Sequence, residues 1–218
     1  APRRSSAAHP VALLHVLGPR AAATPPALEV FAFYADTPDP PGGVNRARSG
    51  TREPNGVREE TPATWPLTSL IAGGTSPEKF AKDLDRAIAY HVRYGITTIQ
   101  DGASSPAMVA GLRAVAAQRP LAVDVAAYLH GNQMEDGSSL DAIGYSRDYE
   151  NGVRVAGVKF ILDGSPQGRT AWLTRPYDEG PPGQDADYVA YATVDPDLYK
   201  RNAARLIHAG IPILAHAN

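Results

Sequence analysis

One pattern occurs twice in the sequence and restricts the fold more than any other feature. In "HVRYGITTIQDGA" (91–103) and "LIHAGIPILAHAN" (206–218), the end of an amphipathic helix is followed by a glycine, a strand that begins with isoleucine, and polar residues. Alternation of helices and strands is typical of parallel βαβ units. The sequence therefore predicts an α/β fold, either a doubly wound sheet or a (β/α)₈ barrel.

Local signals place the helices and strands of this regular part. Each helix is predicted to begin with a capping serine or aspartate followed by proline at the first helical position. These starts are Ser76-Pro77, Ser105-Pro106 and Asp195-Pro196. The predicted strands are 96–100, 121–129, 155–162 and 211–218.

Residues 1–70 differ from the rest of the chain and are predicted to form a loop-rich lid or insertion. The stretch 37–66 is crowded with Pro, Gly, Arg and Glu, and it has turn signals at "PPGG" and "PNG". We expect it to be a loop or a small ribbon and not part of a core. Before it, "HPVALLHVLG" (9–18) predicts one short buried strand.

The overall composition excludes several classes of function. The 218 residues suffice for one sizeable domain, and a net charge of −2 gives no basic surface for nucleic acid. No apolar stretch approaches the ~20 residues of a membrane helix. The chain has no cysteine, which rules out disulfides and thiolate chemistry. With no signal-peptide pattern at its start, we expect a cytoplasmic protein.

Polar residues lie at the ends of the predicted strands. They are Gln100, Asp101, His130, Asp163 and His216. In both candidate folds, ligands bind at the carboxyl ends of the strands. Strand ends are also polar simply because they meet solvent, so each residue has this structural interpretation as well.

Lys159 is the charged residue inside the apolar strand 155–162. A buried ammonium group needs a partner. Strand alternation puts Lys159 and Asp163 on one face, and Lys159 and His216 could meet if their strands are neighbours ~4.8 Å apart. Alternatively, Lys159 reaches solvent along its apolar stem and His216 is a hydrogen-bonded core histidine.

The loop "DGSPQGRT" (163–170) resembles a phosphate-binding G-x-x-x-x-G-K-[ST] loop, but the match fails. It is one residue too short, and Arg169 replaces the lysine. The following "AWLTRPYDEGPPG" predicts a loop, so no helix N-terminus would receive a phosphate. We therefore exclude nucleotide binding at this loop.

Three segments in this order, "GITTIQDGA", "GVKFILDGSPQGRTAWLTRPY" and "GIPILAHAN", resemble the amidohydrolase superfamily. The nearest branch is the amidohydrolase-3 group, which includes N-substituted formamide deformylases. The resemblance implies part of a metal-dependent (β/α)₈ TIM-type barrel over residues 71–218, with strands similar to its second to fifth. It implies hydrolysis of C–N bonds in a small amide or formamide substrate.

The resemblance also implies roles for individual residues. Lys159 matches a lysine that is carbamylated to bridge two metals, and His216 matches a metal-ligand histidine. The implied cofactor is one or two divalent ions, with zinc expected, which would activate a water molecule. Asp163 would belong to the catalytic site, while Ser165, Gln167 and Asp101 would shape the substrate pocket.

The sequence also departs from the pattern of this family. An H-x-H pair on the first strand is absent, and the expected ligands on the sixth and eighth strands would lie beyond Asn218. We therefore expect the chain to be an internal portion of a longer enzyme. The alternatives are a non-catalytic half barrel, which would pair with another chain to cover its open sheet edges, and a metal-free (β/α) protein that binds a small ligand. A homo-oligomer is a further expectation for the protein.

Overall fold

The computed structural model describes residues 9–15, 20–73, 76–181 and 184–218. These residues form two compact units. The first unit takes its residues from 1–74, 162–194 and 217–218, and the second from 75–161 and 195–216. The first unit thus includes the loop that follows the lysine-containing strand, which the sequence-based division assigned to the barrel domain.

The first unit contains a four-stranded antiparallel sheet in the order β1–β2–β4–β3. Its strands are β1 (Ala12–Leu14), β2 (Arg20–Ala23), β3 (Val44–Ala47) and β4 (Pro54–Glu59). The β3–β4 pair confirms the ribbon predicted within 37–66. The prediction of a buried strand within 9–18 is wrong as to burial for the residues described there, because β1 lies at the sheet edge beside β2 and all its residues are exposed.

Two helices accompany this sheet, α1 (Pro25–Val30) and α2 (Glu60–Gly73). The prediction of loop or ribbon up to residue 66 missed the start of α2. Proline disfavours a helix interior, and α2 contains Pro66 in its interior as well as Pro62 in its first turn, so the local sequence did not indicate this helix. The segment "AWLTRPYDEG" (171–180) contains no helix, as predicted.

The second unit contains a parallel sheet in the order β5–β6–β7–β8. The elements are α3 (Pro77–Val92), β5 (Thr98–Ser104), α4 (Pro106–Gln118), β6 (Asp124–His130), β7 (Val153–Ile161), α5 (Pro196–His208) and β8 (Ile213–His216). The predicted alternation is confirmed. So are the caps, since the side chains of Ser76, Ser105 and Asp195 each accept a backbone N–H of the first turn.

One face of the parallel sheet packs against helices. Ile88 of α3 and Leu112 of α4 form a core with Val125 of β6 and Val153 of β7. On the same side, the Phe160 ring packs against Tyr199 of α5, with ring centroids 5.1 Å apart. The opposite face of the sheet does not pack against this helical core.

A bulge in β7 decides which residues point to that opposite face. Ala127 of β6 pairs with Val155, but the next residue, Tyr128, pairs with Gly157, so Ala156 is skipped. A side chain at Gly157 would not fit, because its Cβ would lie 2.2 Å from the carbonyl oxygen of Pro212. The skipped residue keeps Val155 and Phe160 on the helical side and turns Lys159 to the opposite side.

Within the described residues, none of the helices is long and apolar enough to cross a membrane.

Candidate metal-binding site

Lys159 and His216 lie on the same face of two adjacent parallel strands. Lys159 is in register with Leu214, and His216 is in register with Ile161. One strand spacing and a two-residue offset place the two Cα atoms about 8 Å apart. Lys159 is half-buried and His216 is exposed. The two side chains can therefore reach toward one point above the sheet.

His130 lies on the other side of Lys159 and was not among the predicted site residues. It ends β6 and is in register with Lys159, so both side chains leave the same face of the sheet. Burial and the nearby charge of Lys159 lower the pKa of His130, which favours the neutral imidazole. The sequence marked His130 as a strand-end residue, but it did not give the register that makes it a neighbour of Lys159.

Lys159 itself has no ion pair and no side-chain hydrogen bond with any residue that the structure describes. Its neighbours in register are an imidazole and the aliphatic side chain of Leu214. The Lys159 side chain is half-buried, and its role as a metal ligand stays a prediction.

Asp163 belongs to the first unit, where it is buried and connects two segments of chain. One carboxylate oxygen accepts a hydrogen bond from the backbone N–H of Trp172 at 3.0 Å, and the other accepts one from Asn218 at 3.1 Å. The side-chain amide of Asn218 donates to the carbonyl of Gly164 at 2.6 Å. Asp163 thus joins the segment after β7 to the segment after β8, and its catalytic role stays a prediction.

Ser165 and Gln167 belong to the same loop of the first unit. The hydroxyl of Ser165 accepts a hydrogen bond from the Gly168 N–H at 3.0 Å, while its own N–H donates to the Thr170 hydroxyl at 3.0 Å. Gln167 is exposed. Ser165 therefore organises the loop, and the role of both residues in substrate binding stays a prediction.

Asp101 lies on the helical side of the sheet and not on the side of Lys159. It is two residues beyond Ile99, which packs against the helical core, and it is in register with Ala127. Its carboxylate accepts hydrogen bonds from Ser104 Oγ and from the N–H of Ala103. Gln100 is the β5 residue that shares the face of Lys159, because alternation turns it the other way from Asp101.

Glu60, in the first unit, is a buried acid that the sequence analysis did not single out. Burial raises its pKa to about 7, and the Thr170 hydroxyl opposes this shift. Its Oε1 atom has no hydrogen-bond partner in the described part of the chain, and its backbone has a φ of +67°. The adjacent Glu59 is buried too, but it forms ion pairs with Arg20 and Arg46. The letters "REE" could not show which glutamate would be paired.

The described residues provide only part of a metal site. No group of three or more His, Asp or Glu side chains within them is arranged to hold a metal ion. Lys159 and His216 supply two positions on one face, and a catalytic zinc site usually has three protein ligands. The described residues therefore do not form a complete metal site by themselves, and the roles of Lys159 and His216 as metal ligands stay predictions.

Comparison with known proteins gives a family and a fold. The profile of the amidohydrolase family matches residues 3–218. The structure is similar to crystal structures of two uncharacterized metal-dependent hydrolases. The first, from Pyrococcus horikoshii OT3, has a TM-score of 0.61 at 19% identity over 95% of this chain and 39% of that one. The second, from Pyrococcus furiosus, has a TM-score of 0.60 at 16% identity over 96% and 41%.

These comparisons confirm the predicted superfamily and a parallel sheet of the partial TIM-barrel type. The chain spans about two fifths of the length of each solved structure. A search of curated proteins gave no match. The deformylase-like branch, the internal position in a longer enzyme, the cytoplasmic location and the homo-oligomer stay predictions.

Proposed function

This chain belongs to the amidohydrolase family, and on that premise we propose that it forms part of a metal-dependent hydrolase of C–N bonds in amides or formamides. Lys159 and His216 would hold one or two divalent ions, with zinc the first candidate. The observation that carries the proposal is that both side chains lie on one face of β7 and β8, near the ends of the strands. Ligands bind at this edge in parallel β/α folds.

The proposal assigns β5 to β8 to the second to fifth strands of a (β/α)₈ barrel and treats Lys159 as carbamylated. In that reaction the neutral amine adds to carbon dioxide, an N–C bond forms, and one proton is released to solvent. The product is an anion whose oxygens are suitable ligands for divalent cations. Carbamylation would thus account for a lysine that has no partner among the described residues.

A divalent ion bound here would polarise the substrate carbonyl and lower the pKa of water, which allows hydrolysis near neutral pH. The residues of this chain have the tasks of holding the ion and orienting the substrate. Lys159 and His216 do the first. Gln100, which shares their face of the sheet, can hydrogen-bond an amide group of the substrate through its own amide.

A metal-free protein that binds a small ligand is the competing function. It is favoured by the absence of three clustered ligand side chains within residues 9–15, 20–73, 76–181 and 184–218. Metal dependence separates the two functions.

The experiment compares hydrolysis of an N-substituted formamide, an amide and an ester by the full-length protein, after removal of metal and after reloading with Zn²⁺. We expect metal-dependent cleavage of the C–N substrates that falls about 100-fold or more in Lys159→Ala and His216→Ala. Lys200→Ala, at an exposed lysine of α5, is the matched control and should retain activity. Cleavage that needs no metal, or that survives Lys159→Ala, would contradict the proposal.

A further inference from the structure

We propose that His130 is a positioning residue whose Nε2–H donates a hydrogen bond to the carbamate on Lys159 and so favours carbamylation of that lysine. This inference rests on the proposed function, because it requires the carbamate. It gives a specific role to His130, which the sequence pattern marked only as a polar residue at the end of a strand.

The first argument is the position of the two residues. His130 and Lys159 are in register on adjacent parallel strands, which places their Cα atoms about 4.8 Å apart with side chains on the same face. This arrangement depends on the bulge at Ala156. Without the skipped residue, Lys159 would point toward the helical core and away from His130.

The second argument is that His130 Nε2 is buried and has no hydrogen-bond partner among the described residues. A buried nitrogen of this kind is costly, and native structures contain few of them. Lys159 also has no partner in the described part of the chain. The buried Nε2 of His130 therefore indicates that a hydrogen-bond partner belongs beside it, on the side of Lys159.

The third argument is the charge of that group. An ammonium group on Lys159 offers no acceptor to an imidazole N–H, and its charge disfavours a protonated histidine. A carbamate reverses the sign of the charge and offers two acceptor oxygens at the end of the same side chain. Conversion of Lys159 to a carbamate therefore turns a neighbour that can only donate hydrogen bonds into one that can accept the Nε2–H of His130.

The fourth argument is that the backbone around His130 is held firmly against β7. Gly131 lies so close to β7 that a Cβ there would be 2.6 Å from Val158 Cγ1. The side-chain amide of Asn132 donates to the carbonyl of Ile161 at 2.6 Å and accepts from the Ile161 N–H at 2.8 Å. These contacts fix the end of β6 beside Lys159. Little conformational entropy is therefore lost when His130 forms its hydrogen bond to the carbamate.

The test measures the carbamate by ¹³C NMR in the full-length protein as ¹³C-bicarbonate is titrated. The carbamate resonance is assigned by its loss in Lys159→Met. The asparagine side chain in His130→Asn is too short to place its amide at the position of Nε2, so the donor there is lost. The longer glutamine side chain in His130→Gln places an amide donor near that position. We expect His130→Asn to need about tenfold more bicarbonate for half-maximal signal, with His130→Gln close to wild type.

His208→Asn, at an exposed histidine near the end of α5, is the matched control and should titrate like wild type. Equal titration of His130→Asn and wild type would overturn the inference and leave the proposed function intact. A wild-type protein that shows no Lys159-dependent resonance would overturn both. If His130→Asn does not fold, His130→Gln still decides, because a loss of signal in this folded donor variant contradicts the role of Nε2–H.

Discussion

The side-chain amide of Asn132 bonds both backbone groups of Ile161, donating to its carbonyl at 2.6 Å and accepting from its N–H at 2.8 Å. Ile161 is the last residue of β7 and is in register with His216. The amide thus makes the two backbone hydrogen bonds with Ile161 that a neighbouring strand would otherwise make on this side of β7. It holds the end of β7 where the candidate metal site lies.

Asn132→Ala should lower the free energy of unfolding by about 2 kcal/mol, because it leaves two backbone groups of Ile161 without this partner. The measurement is urea unfolding followed by circular dichroism. Gln133→Ala, at the exposed next residue of the same turn, is the control and should change stability little. Equal stability of the two variants would show that the amide does not hold β7.

Gly157→Ala should destabilise the second unit by about 3 kcal/mol, since the new methyl group would overlap backbone that cannot move away as a side chain can. The overlap is with the carbonyl of Pro212, which accepts the N–H of Val158 at 3.0 Å and begins the pairing of β7 with β8. Urea unfolding measures the loss. At Gly102 the nearest atom to a new Cβ is 4.0 Å away, so Gly102→Ala is the control. A Gly157→Ala protein as stable as this control would contradict the account of the bulge.

Glu60 should make the protein less stable as the pH rises from 4.5 to 7. Burial raises the pKa of Glu60 in the folded protein to about 7, against an ordinary value of 4.5 for the unfolded chain. Between these values the folded state retains a proton that the unfolded state releases. The free energy of unfolding is therefore greatest below pH 4.5 and falls by up to about 3 kcal/mol as the pH passes 7.

Glu60→Gln, which keeps the shape of the side chain and removes its ionisation, should abolish this part of the pH dependence. The comparison is the free energy of unfolding at pH 5 and pH 8 for wild type, Glu60→Gln and Glu53→Gln. Glu53 is an exposed glutamate of the same unit, and its substitution should leave the difference unchanged. If Glu60→Gln retains the wild-type difference, Glu60 is not the group that titrates.

The helices and parallel strands of the second unit could be predicted because their signals are local. Ser76-Pro77 and Asp195-Pro196 specify helix starts within a few residues, and the helix–glycine–strand order specifies parallel units. The likeness of Lys159 and His216 to metal ligands also came from sequence. Their common face of the sheet needed only strand alternation and the pairing of β7 with β8.

The rest depends on contacts between residues distant in sequence. The bulge in β7 arises beside Pro212, and the neighbour relation of His130 and Lys159 follows from register across the β6–β7 loop. Whether the Asp101 side chain lies on the helical side of the sheet or on the side of Lys159 depends on which face of β5 packs against the helices. The residues next to Glu60 in the sequence do not show that Arg20 and Arg46 would both form ion pairs with Glu59 and not with Glu60.

The most direct test of the central claim is a double-mutant cycle on zinc affinity in the full-length protein, with Lys159→Met, His216→Asn and the double variant measured by isothermal titration calorimetry. If both side chains bind one metal centre, each single change should weaken zinc binding about 100-fold or more, and the double variant should be little worse than either single one. Wild-type affinity in both single variants, or losses that simply add, would contradict a shared site.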